Sequence, residues 1–136
     1  MKRYGYPLLL VTMLVPLGIA SAGLRQLQPV TIQIDSANQI VGASGNLADA
    51  YNSADTNQYI GCGGSATAGW CQAHDATPTA DGTLNLAFCT TTDPQLIAHI
   101  RSISSDAFIA FSVDPATGLC RSLSVSHNSG YRPKAP

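Results

Sequence analysis

Apolar and polar residues alternate from Pro29 to Asp35, placing Val30, Ile32 and Ile34 on one side and Thr31 and Gln33 on the other. A period of two in residues branched at Cβ predicts a half-buried strand. Ser36-Ala37-Asn38 interrupts the pattern, and Gln39-Ile40-Val41 begins a partner strand. From Gly42 to Asn57 the chain is small and polar, with Leu47 and Tyr51 its only large apolar residues, so part of it is expected to be loop. Asn57 to Cys62 forms a short strand, Gly61 to Gly69 a glycine-rich connection, and Trp70 to Asp75 another extended piece. Pro78 and the Asp81-Gly82 pair signal a turn. Leu84, Leu86 and Phe88 then alternate with Asn85, Ala87 and Cys89, which predicts a strand with its large side chains in the core.

One helix is expected, from Asp93 to about Ile103. An aspartate at the N-cap accepts orphan amide N–H groups, and proline at the first helical position presets φ at no cost. Leu96, Ile97, Ile100 and Ile103 recur at helical spacing and form one apolar stripe, expected against Phe88, Ile109 and Phe111. Two further strands, Ala107 to Val113 and Leu119 to Ser126, flank Asp114-Pro115-Ala116-Thr117-Gly118, a loop that suits a hairpin. Leu119, Leu123 and Val125 are assigned to the core side of the last strand. From about Asn128 the chain is polar and proline-tipped, as an extended tail is. The fold class is therefore mainly β with one helix (α+β), a small antiparallel sheet domain stabilised by disulfides.

The N-terminus changes this picture. Lys2 and Arg3 precede an apolar run from Pro7 to Ile19, and Ala20-Ser21-Ala22 follows. That order is read as a signal peptide over residues 1–22, leaving one domain over 23–136. The apolar run is too short for a good transmembrane span, so no stable membrane insertion is expected after cleavage. Export to the periplasm or beyond the cell places the four cysteines in an oxidising compartment, where they are expected to pair. Of three possible pairings, Cys62–Cys71 with Cys89–Cys120 is favoured. The first closes the glycine-rich loop and the second ties the strand before the helix to the last strand. The gaps of eight, seventeen and thirty residues, with no C-x-x-C, count against zinc or thioredoxin-like chemistry.

Charge is sparse beyond residue 22. Arg25, Arg101, Arg121, Arg132 and Lys134 face eight aspartates, a formal net charge of −3, and glutamate is absent. Five scattered cations build no basic stripe, which excludes a nucleic-acid partner. The aspartates fit no EF-hand pattern and are ordinary turn residues, so neither metal nor cofactor is expected.

His74-Asp75 is the most reactive-looking pair, yet neighbours in a strand point to opposite faces, so Asp75 does not orient the imidazole. Ser65 in the glycine-rich loop has no supporting nucleophile motif, and that loop lacks the Gly-Lys-[Ser/Thr] of a phosphate cradle. No catalytic residue is assigned. Tyr59, Trp70, His74 and Tyr131, with Tyr51, are the candidate binding residues, because aromatic rings beside neutral polar groups suit a glycan- or protein-recognising face. For Trp70, the only tryptophan, a core position is nevertheless the favoured reading. The function expected is a non-catalytic exported domain recognising a protein or a surface glycan. The alternatives are a small secreted hydrolase using His74 or His127 as base, and a structural component of an envelope or extracellular material.

Overall fold

The computed structural model describes residues 26–78 and 82–131; the expected signal peptide, Asp81, Arg132 and Lys134 lie outside them. The chain runs β1 (Thr31–Ile34), β2 (Ile40–Asn46), α1 (Leu47–Tyr51), β3 (Tyr59–Gly64), β4 (Gly69–Pro78), β5 (Leu84–Thr91), α2 (Pro94–Arg101), β6 (Phe108–Val113) and β7 (Cys120–Ser126). It is mostly β, in two antiparallel sheets ordered β1-β2-β6-β7 and β3-β4-β5. Both expected disulfides are present, Cys62–Cys71 and Cys89–Cys120.

One core lies between the sheets. Val30, Ala43, Ile109, Phe111 and Leu123 come from the four-stranded side, and Ile60, Cys71, Ala73, Ala87 and Cys89 from the three-stranded side. The contribution of the smaller sheet is made largely of alanine and cysteine, so its backbone approaches the facing layer closely. The turns follow local chemistry. Asp35 accepts the amides of Ala37 and Gln39 through Oδ1, both at 2.9 Å, which closes the β1–β2 hairpin. Asp114 does the same for Ala116 at 3.0 Å, and Gly118 at φ +70° completes the β6–β7 connection.

Helix α2 starts as the sequence dictates. Asp93 Oδ1 accepts the Gln95 amide at 2.7 Å, and Pro94 occupies the first turn. Ile97 and Ile100 are buried, while Leu96 and Ile103 pack half-buried against the core. Ile100 enters over Gly69, where an added Cβ would stand 2.5 Å from its Cδ1. Glycine at position 69 lets Ile100 keep this rotamer; a larger residue there would make the end of the Ile100 side chain shift.

A second helix, α1, occupies part of the stretch expected to be loop. Its five residues are too few to show a period, and its signal is the cap: Asn46 Oδ1 accepts the Asp49 amide at 3.0 Å. Asn46 is fully buried, and its Nδ2 donates to the Asp106 carbonyl at 2.8 Å, fastening the end of β2 to the turn before β6.

Four side chains assigned to the core are exposed. Leu86 and Phe88 are 49% and 47% exposed, while Ala87 and Cys89 between them are fully buried. The cause is the Cys89–Cys120 bridge: a sulfur that must reach β7 turns its strand's odd-numbered positions inward, and Phe88 then faces away from α2. Leu119 is 52% exposed because it precedes β7, where Gly118 and Leu119 instead run beside Thr90 in a parallel bridge. Ile34 is exposed because the β1–β2 register slips by one residue between Gln33 and Ile34.

Replacing Ile100 by alanine is expected to cost about 2–5 kcal/mol, since the cavity would open between α2 and Gly69. Ala98→Ser on the exposed side of the same helix should stay within about 0.5 kcal/mol. Urea denaturation of both variants distinguishes a core helix from a surface one.

Candidate functional site

The three-stranded sheet has two faces of opposite character. On the inner face, Ile60, Ala73 and Ala87 form one cross-strand row and Cys62, Cys71 and Cys89 the next. On the outer face the rows are Tyr59–His74–Leu86, Gly61–Gln72–Phe88 and Gly63–Trp70–Thr90. Small side chains point in and large ones point out. Trp70 is 37% exposed and Tyr59 39%, beside the more open Leu86 and Phe88.

Two glycines shape this face. A Cβ at position 63 would stand 3.0 Å from Trp70 Cζ2 and 3.2 Å from Cε2, so the indole lies across the bare backbone of β3. At position 61 a Cβ would meet the Tyr59 hydroxyl at 2.8 Å and its Cζ at 3.2 Å. The indole covers Gly63, and the end of the Tyr59 ring reaches over Gly61. His74 stacks on Tyr59 with centroids 5.4 Å apart and planes 23° apart. Asp75 turns elsewhere and accepts from Asn85 Nδ2 at 3.2 Å.

At the β5 end, Trp70 and Phe88 line a cleft of about 540 Å³ with Ser65, Thr90, Thr92 and Leu119. A second cleft of about 510 Å³ separates Tyr59 from Tyr51 and includes Asp55 and Gln58. Three of the sequence-predicted residues, Tyr59, Trp70 and His74, thus share one face. Tyr131 does not: it stacks on Phe108 at 5.8 Å beside the four-stranded sheet, its hydroxyl 3.0 Å from Ser126 Oγ. The core position expected for Trp70 is corrected, because Cys71 next to it is the inward residue. Phe88, Leu86 and Leu119 join the face unannounced. The available signal was the cysteine beside Phe88, whose bridge fixes the parity of β5.

Folding also assembles a polar constellation that no local motif marks. Ser104 Oγ donates to Asp106 Oδ1 at 2.6 Å and lies 3.1 Å from His127 Nδ1. All three side chains are exposed. The order differs from a nucleophilic triad, where imidazole stands between hydroxyl and carboxylate. Here serine stands in the middle and ties the turn before β6 to the end of β7. Among the described residues no three His, Cys, Asp or Glu side chains gather as metal ligands would. No helix among them is long and apolar enough to cross a membrane. Comparison with protein-family models, curated proteins and solved structures found no match.

The Ser104 hydroxyl, and after it Asp106's own amide, hold the Asp106 carboxyl below its ordinary 3.8; partial desolvation opposes them and the His127 charge assists. Because the folded value is the lower one, the stabilisation from this carboxylate is complete above the unfolded value near 3.8 and is lost as pH falls through the folded value. In a carbon-detected NMR titration the Asp106 midpoint should lie below 3.8 and move upward in Ser104→Ala. An unchanged midpoint would assign the effect to another donor.

Proposed function

We propose that this chain is an exported recognition domain that binds a protein or a surface glycan through the outer face of the β3-β4-β5 sheet. The observation that carries the reading is the inverted packing of that sheet, with alanine and cysteine inward and Tyr59, Trp70, Leu86 and Phe88 outward. Burying those side chains would stabilise the fold, and a contiguous apolar patch left in water marks an interaction site. Two disulfides suit an oxidising compartment, and the basic, apolar and small-residue sequence at the N-terminus supplies the route there.

A second reading, a small hydrolase, is favoured by the Ser104–His127 contact. Its discriminating assay is hydrolysis of an activated ester. A true nucleophile–base pair should lose about 10²–10⁴-fold in Ser104→Ala. Equal rates in wild type and variant remove this reading.

For the recognition face, Phe88→Ser is expected to change stability by less than about 1 kcal/mol, because the side chain is half in water. The Trp70→Ala, Phe88→Ser double variant should nevertheless fail to retain what the wild type captures from the native extracellular fraction. Mass spectrometry and sugar analysis of the captured material, alongside melting curves, provide the comparison. Identical capture by both proteins would place recognition on another surface.

A further inference from the structure

We infer that the outer face binds an uncharged oligosaccharide chain, an assignment that rests on the recognition reading above and narrows it. The first ground is the attitude of the rings. Aromatic anchors at protein interfaces project into pockets of the partner. Trp70 instead lies down on Gly63, and Tyr59 reaches over Gly61, so neither projects. A flat, supported ring offers its π-face, which suits the C–H groups on one side of a pyranose.

The second ground is the polar chemistry between the rings. The indole N–H of Trp70, the Gln72 amide and the Thr90 hydroxyl stand on this outer face, in the two neighbouring cross-strand rows that end on β5. Each is neutral. A sugar hydroxyl both donates and accepts, and these groups meet it without stripping water from an ion. Trp70 and His74 stand four residues apart on β4, a span of about 13 Å, which accommodates several consecutive sugar rings rather than one.

The third ground is the cleft at the β5 end. Its volume of about 540 Å³ lies in the range of small-ligand sites, and none of the side chains lining it is charged. Arg101 reaches this end of the sheet, but its Nη2 donates to the Ser65 carbonyl at 3.2 Å. The lining itself therefore offers an anionic saccharide no cation, and the one guanidinium at its edge, Arg101, is held at the Ser65 carbonyl outside the ring of lining residues.

Trp70 is the only tryptophan in the chain, so its fluorescence reports this face directly. The probes are cellohexaose, chitohexaose, xylohexaose and mannohexaose, with a heparin hexasaccharide and oligogalacturonate as charged counterparts, each titrated into the purified protein. At least one neutral hexaose should shift the emission saturably, with affinity unchanged between about 0.05 and 0.5 M salt. Phe88→Ala should weaken that binding at least about tenfold, and Trp70→Phe, read by calorimetry, should retain more affinity than Trp70→Ala. A response to the charged saccharides alone, or silence across the panel, would overturn the assignment. So would self-association, seen by sedimentation and lost in Phe88→Ser, although that outcome would leave the face as a recognition surface. The wider reading fails on different evidence, namely unaltered extracellular capture by the double variant.

Discussion

The row Cys62, Cys71 and Cys89 governs the three-stranded sheet. The first two sulfurs bond across neighbouring strands whose Cα atoms are 4.0 Å apart, and the third leaves the sheet for Cys120 at the start of β7. A strand's side chains alternate, so fixing one cysteine inward fixes every second residue with it. In β4 this turns Cys71 and Ala73 inward and Trp70 outward; in β5 it turns Ala87 and Cys89 inward and Phe88 outward. Each bridge contributes about 2–4 kcal/mol by restricting the unfolded chain, comparable to fully burying one large side chain.

Much of this fold was legible because its causes are local. The Asp93–Pro94 start of α2 and the hairpin at Asp114–Gly118 follow from neighbouring residues, and the favoured cysteine pairing, one of three that the sequence allows, is the one present. The orientation of β5 did not. Leu84, Leu86 and Phe88 read as a core face on hydrophobicity, but that criterion competes with the parity of Cys89 and loses. The two criteria conflict within one strand, and the conflict was itself visible in the sequence. Trp70 beside Cys71 repeats it. For Ser104, Asp106 and His127 no comparable signal exists, because the histidine lies 23 residues beyond the serine and only the sheet brings them together.

The same arrangement links stability to the exposed face. With alanine and cysteine lining the inside of one sheet, the space between layers is filled mainly from the other side, by Ile109, Phe111, Leu123 and Ile100 of α2. Gly69 lets that helix close over the end of the core. The large residues of β4 and β5 are thereby released from packing duty. What the fold still asks of them is that the rings rest on β3.

That requirement couples positions which have no covalent link and sit on different strands. Gly63 does not face solvent as a side chain, yet a Cβ there would press on the indole, which would have to give by a few tenths of an ångström. A lineage that lost the tryptophan would in turn be released to fill position 63, and the same reciprocity joins Gly61 to Tyr59. Mutational drift should therefore move these sites in pairs, so that the glycines of β3 carry the evolutionary record of a surface to which they contribute no atom beyond the backbone.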